Sequence, residues 1–263
     1  MKNKIYNKKL LTFAAILTGL LISTNLFSQE GDLLNKVSNN DIEGVKASLA
    51  AGADVNQVAD DMMGSTPLFL AVTENNPEIV SLLISKGADM NHKDKIYGFS
   101  PLLMALQSNY NEVARILIAE GADIELRGNN QATALLLACM NSREMAELLL
   151  SKGADISARS DNGSGVITNC VMGIIRGRVT TDLAEFLLSK GAEIDEVNTT
   201  DYYGGYTPLF WAVEDNNEEL VSFLVKHGAN VKARSNKGKT PLSIATDAGY
   251  TNIVEILKDA GGK

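Results

Sequence analysis

The sequence predicts an all-α repeat solenoid of about six to seven stacked units, and three observations predict it. A glycine followed by alanine and an acid or amide recurs as Gly52-Ala53-Asp54, Gly87-Ala88-Asp89, Gly121-Ala122-Asp123, Gly153-Ala154-Asp155, Gly191-Ala192-Glu193 and Gly228-Ala229-Asn230, at spacings of 35, 34, 32, 38 and 37 residues. About 21 residues before most of these glycines stands a second mark: Thr66-Pro67-Leu68, Ser100-Pro101-Leu102, Thr133-Ala134-Leu135, Thr207-Pro208-Leu209 and Thr240-Pro241-Leu242. Between the two marks, apolar residues fall into two short runs separated by a polar turn. Self-similarity at this period means units that bury their apolar faces only against their neighbours.

Each part of the unit has a physical reason. The Thr or Ser before Pro reads as a helix N-cap, its hydroxyl accepting an orphan backbone N–H while Pro, at the first helical position, has none to satisfy. A first helix follows, as in Leu68-Phe69-Leu70-Ala71-Val72, and Glu74-Asn75-Asn76-Pro77 turns the chain. A second helix carries Ile79, Val80, Leu82, Leu83 and Ile84 at helical spacing. The recurring Gly then ends it with a positive φ. Short β-prone residues such as Val55, Met90, Ile124, Ile156, Ile194 and Val231 open a β-hairpin-like finger leading to the next cap.

In chain order, the first unit (Asp32 to Asn56) lacks the cap motif and has a polar leading helix, which suits an N-terminal capping repeat. The fifth has Gly165-Val166-Ile167 in place of Thr-Pro-Leu, and 26 residues separate Gly165 from Gly191, about five more than elsewhere. The surplus falls near Ile174 to Arg178, and the missing cap makes this unit the expected weak point. The last unit, with Glu255, Lys258 and Asp259, reads as the opposite cap.

The pairing of Thr-Pro-Leu with Leu-Leu-x-x-Gly-Ala-Asp resembles the ankyrin repeat, and the resemblance covers Gly31 to Gly261. It implies a concave surface of finger tips and first helices that binds partner proteins. The His that usually follows Thr-Pro-Leu in that family is replaced here by Phe69, Leu103, Leu136, Phe210 and Ser243. The hydrogen bonds of that His therefore do not carry over.

The start of the chain differs from the rest. Lys2, Lys4, Lys8 and Lys9 precede the apolar run Leu10 to Ile22, with no acid before Glu30. As a helix that run spans about 20 Å, short of a hydrocarbon core of roughly 30 Å. With the small residues ending at Ser28 it reads as a secretory signal peptide over residues 1–28, the alternative being an uncleaved N-terminal anchor, followed by a repeat domain over residues 29–263. The expected location is therefore outside the cytoplasm, periplasmic or secreted. Losing the leader removes four lysines and no acid and takes the net charge from −8 to −12. Such a chain repels phosphate backbones and anionic lipid. No nucleic-acid partner is expected, and no membrane partner once the signal is removed.

The expected function is a non-catalytic scaffold, a monomer that binds another protein and holds no cofactor or metal. Finger tips project into water, so apolar and aromatic tips are the candidate contacts. They are Met62 and Met63 in the second unit, Ile96, Tyr97 and Phe99 in the third, and Tyr202, Tyr203 and Tyr206 in the sixth. Matching helix positions hold Glu74, Gln107, Met140, Met172, Glu214 and Asp215. His92 and His227 fall at separate places in the stack. The acid of each Gly-Ala-Asp belongs to the architecture, so no catalytic constellation forms. Cys139 and Cys170 take small-residue positions on adjacent first helices and read as buried free thiols. Two other readings are a secreted host-directed effector and an enzyme built on the insertion at Arg176 and Arg178.

Overall fold

A computed structural model describes residues 32–262; the leader and its cleavage site lie outside them. Among the described residues, fourteen helices form seven helix pairs, each an inner and an outer helix. The inner helices are α1 (Asp32–Ser38), α3 (Pro67–Thr73), α5 (Pro101–Gln107), α7 (Ala134–Asn141), α9 (Val166–Ile175), α11 (Pro208–Glu214) and α13 (Pro241–Ala248). The outer helices are α2 (Ile42–Ala50), α4 (Pro77–Ser85), α6 (Asn111–Ala119), α8 (Arg143–Ser151), α10 (Thr181–Ser189), α12 (Glu218–Lys226) and α14 (Thr251–Asp259). Each inner helix packs on its own outer helix and on the inner helices of neighbouring units. One continuous core results, running from Leu33 through Leu68, Leu102, Leu135, Ile167, Leu209 and Ala245 to Leu257.

The caps form as the residue types demand. Thr66, Ser100, Thr133 and Thr240 accept the backbone N–H three residues on. Thr207 keeps the cap backbone, but its buried hydroxyl finds no partner. The recurring Gly takes φ between 87° and 92° in every unit from Gly52 to Gly228. The inter-helix turn uses a second left-handed residue, Asn40, Asn75, Asn109 and Asn216, with Gly177 and Gly249 in the fifth and seventh units.

The fingers are hairpin-like without forming a β-strand among the described residues. Their backbone closes instead through single bonds such as Asp94 N–H to the Phe99 carbonyl (3.0 Å) and Ser160 N–H to the Ser164 carbonyl (3.0 Å). One further bond joins each finger to the next: Lys95 N–H to Met63 O, Asn129 to Tyr97, Asp161 to Asn130, Thr199 to Asn162 and Asn236 to Gly204, all 2.7–3.0 Å. A second ladder explains the recurring acid. Asp54, Asp89, Asp123 and Asp155 each accept the N–H two residues on. The residue in that next position, Asn56, Asn91, Glu125 or Asp195, accepts an N–H from the following unit.

The fifth unit departs from its siblings in three ways. Its inner helix α9 has ten residues where the others have seven or eight. It packs on α7 more extensively than any other pair of elements. Gly173 permits this, because a Cβ there would lie 2.5 Å from the Met140 carbonyl oxygen. The missing cap is supplied from the next finger: the buried Glu196 carboxylate accepts from Gly165 N (3.0 Å), Ile167 N (3.1 Å) and Thr168 N (2.8 Å). A side chain at Gly165 would collide with that carboxylate. In the outer layer, α10 packs on α8 and α12 less extensively than neighbouring outer helices do elsewhere in the stack.

Candidate functional site

A groove of about 360 Å³ opens across the third to sixth units, between the inner helices and the finger tips. Its floor comes from successive inner helices: Gln107 on α5, Met140 on α7, Asn169 and Met172 on α9, and Trp211 on α11. The wall comes from finger tips, with Asn130, Asn162, Ser164, Thr200 and Tyr203. These tips are held rigidly by local bonds. Asn162 Oδ1 accepts from Ser164 N (3.0 Å) and Ser160 Oγ (2.6 Å), and Asn198 Oδ1 accepts from Thr200 N (2.9 Å). Asn169 Nδ2 donates to the Gly165 carbonyl (2.8 Å), which fixes its amide on the groove floor.

The eight tip residues expected at an interface divide into three groups. Met62 (85% exposed), Ile96 and Tyr202 (67% exposed) project into water. Tyr97, Tyr203 and Tyr206 are half-buried. Met63 and Phe99 are buried, at 7% and 6% exposure, and are corrected here to structural residues. For Phe99 the reason is Asp94, a buried carboxylate that accepts from Ile96 N (2.8 Å), Tyr97 N (2.7 Å) and Phe99 N (2.7 Å) and folds the tip back. The Phe99 ring then lies against the backbone of the next finger at Gly128. For Met63, the Asp61 carboxylate tightens the turn through Gly64 N (2.5 Å), so the thioether enters the core.

The structure brings the sixth-unit tyrosines together around a tryptophan. Ring centroids are 4.6 Å apart for Tyr202 and Tyr203, 4.6 Å for Tyr203 and Trp211, and 5.2 Å for Tyr206 and Trp211. Tyr206 stacks on Phe210 at 4.6 Å and donates its hydroxyl to Glu214 at 2.9 Å. Burial, reinforced by that carboxylate, raises the Tyr206 phenol well above its usual range. Tyr203 is the one of the eight that lines the groove. The Met62 and Ile96 tips stand in earlier units and do not line it.

Of the helix positions singled out, Gln107, Met140 and Met172 line the groove. Trp211, Asn162 and Asn169 were missed. The signal for two of them is the residue four after each cap, which reads Leu70, Met104, Leu137, Asn169, Trp211 and Ile244. Aliphatic residues or Met hold that place in four units; amide and indole replace them in the fifth and sixth.

The chemistry-bearing residues outside the groove have structural duties. His92 Nε2 donates to the Gly64 carbonyl (3.0 Å), and His227 Nδ1 lies 2.8 Å from the Phe223 carbonyl. Cys139 and Cys170 are buried free thiols, and burial pushes Cys170 up to about 12. Arg178 donates to the buried Asn141 amide oxygen, whose Nδ2 reaches the Leu106 and Leu137 carbonyls (both 3.1 Å). The insertion thus braces three units against one another. No group of three or more His, Cys, Asp or Glu among the described residues is placed to hold a metal ion. No described helix is long and apolar enough to cross a membrane.

Comparison with known proteins fits this architecture. A sequence model of ankyrin repeats, three copies long, matches residues 33–128, 98–160 and 172–263. The putative ankyrin repeat protein YahD of Escherichia coli strain K12 is 26% identical over 237 residues, 88% of this chain and 96% of its own. An alpha-latrotoxin of Latrodectus hesperus is 46% identical over 57 residues, 22% of this chain and 4% of the toxin. The crystal structure of the human ASB11 ankyrin repeat domain shares the fold, with a TM-score of 0.71 at 24% identity, covering 88% of this chain and 98% of that one. Ankyrin repeats generally mediate protein–protein interaction and typically serve as non-catalytic scaffolds. With matched segments spanning nearly all of residues 33–263, the chain belongs to the ankyrin-repeat family.

Proposed function

We propose that this chain is a non-catalytic binding scaffold, exported from the cytoplasm, that holds a partner protein as a monomer in its concave groove. The observation that carries the reading is the composition of the groove. Its floor sets the chain's sole tryptophan and two methionines among amides, on helices buried firmly behind them. Trp, Tyr and Met are enriched at the centres of protein interfaces, and rigid elements present them at low entropic cost. One carboxylate, Asp161, lines the groove, with no His, Cys or cation among the lining residues. That lining offers contact surface and no acid–base pair.

Export rests on the cationic, then apolar, then small-residue order of the first 28 residues. Fractionation of the source cell should find the chain in the periplasm or medium with Gln29 as its first residue. A cytoplasmic chain retaining Met1 would refute export. Binding is tested by photo-crosslinking. A crosslinker at Thr200, on the groove wall, should trap the partner, while one at the exposed Glu144 of α8 should not. Equal trapping at both sites would refute the concave surface.

A further inference from the structure

We infer that the groove takes an extended segment of the partner protein, and that its sixth-unit end selects a lysine or arginine side chain from that segment. This rests on the concave-surface reading above and names the chemistry of its partner.

Charge complementarity is the first argument. Trp211, Glu214 and the C-cap Asp215 stand at i, i+3 and i+4 along α11, so the two acids, Glu214 with the Tyr206 hydroxyl on it, stand beside the groove-lining Trp211 at the groove's edge. Neither acid makes an ion pair among the described residues. Partial burial raises the Asp215 carboxyl above its ordinary value. Of the cations near this end, Arg176 lies against the Met140 sulfur and Lys237 over the Tyr202 ring.

That second contact is independent evidence of what the aromatic end accepts. Lys237 Nζ lies 3.8 Å from the Tyr202 ring centroid, a cation–π contact made by the chain's own side chain. Tyr202 continues through Tyr203 to Trp211, so the aromatic surface that attracts this lysine runs into the groove.

Free amide groups argue for an extended main chain. Asn130 and Asn162 use their side-chain oxygens on their own turns, which leaves N–H donors at the wall. Asn169 uses its Nδ2, which leaves its carbonyl as an acceptor on the floor. Donors on one side and an acceptor on the other suit the alternating groups of an unpaired peptide backbone.

The sole tryptophan makes the test specific to this site. The probes are otherwise identical Gly-Ser-Ala peptides centred on Arg, Lys, Glu or Leu, titrated into the full chain while the Trp211 indole N–H resonance and emission are followed. The Arg and Lys peptides should move both signals, with affinity falling as salt rises, and the Glu peptide should move neither. Glu214→Gln with Asp215→Asn should weaken the Arg peptide about tenfold without lowering the melting temperature. Lys237→Met, which removes the internal competitor, should tighten it. If the Leu peptide moves the indole as strongly as the Arg peptide, the groove reading stands and selection for a cation is refuted. If no peptide moves it, both fail. If spermidine binds as tightly as the Arg peptide, the occupant is not a protein segment.

Discussion

Glu196 shows how one side chain can replace a lost motif. Its carboxylate is fully shielded from solvent and accepts three backbone N–H groups of the helix that lacks Thr-Pro-Leu, with Arg159 Nη1 3.8 Å away. Removing it strands three donors in the interior. Glu196→Ala should therefore cost about 3 kcal/mol, and Glu196→Gln less, because the amide oxygen still accepts. Equal chemical-denaturation midpoints for wild type and Glu196→Ala would refute the cap. Tyr206 makes a second prediction, with its sign fixed by linkage. Its phenol is raised in the folded state, by burial first and then by Glu214. Its stabilising contribution is thus fully present below the ordinary tyrosine value of about 10 and is lost as pH climbs toward the folded value. Tyr206→Phe should flatten that alkaline loss in urea midpoints measured across this range.

At the scale of elements, helices were more legible than fingers. A cap, a Pro, an apolar run and a positive-φ glycine are local signals, and each lies within one unit of sequence. Tip geometry depends on a buried carboxylate such as Asp94 choosing three particular N–H groups, so Phe99 read as exposed when it is core. The insertion was legible as extra length but not as reinforcement. Only three-dimensional pairing reveals that Gly173 lets α9 press on Met140 and that Arg178 reaches Asn141. The unit is therefore uneven: a firmly held inner helix carries an outer helix with weak neighbours. Amide exchange should report this directly. Residues 181–189 should exchange faster than the corresponding outer helix at 143–151, while residues 166–175 stay protected. Uniform exchange over the whole of residues 160–185 would place the weakness in the unit as a whole instead.

For the molecule as a whole, the period was visible because every unit needs the same cap, glycine and core positions. The groove was not, because binding residues occupy places where units are free to differ, as Asn169 and Trp211 do. The same one-dimensional construction makes a prediction that no closed globule shares. Among the described residues the first unit packs on the second: α1 on α3 and α2 on α4, with Asn76 Nδ2 donating to Asn40 Oδ1 at 2.9 Å. Stability in such a stack is a sum of unit and nearest-neighbour contributions. A chain lacking residues 32–56 should lose the cover over Leu68 and Ile79 and become less soluble, since the terminal repeat presents the polar outer face. Its exchange protection should fall steeply over α3 and α4, less over α5 and α6, and little at the groove. The Trp211 emission maximum and the Arg-peptide affinity should be unchanged, because four intact units separate the deletion from the sixth-unit end of the groove. A loss spread evenly from α3 to α14, with the indole signal altered, would mean that the units share one cooperative core and would overturn the nearest-neighbour account.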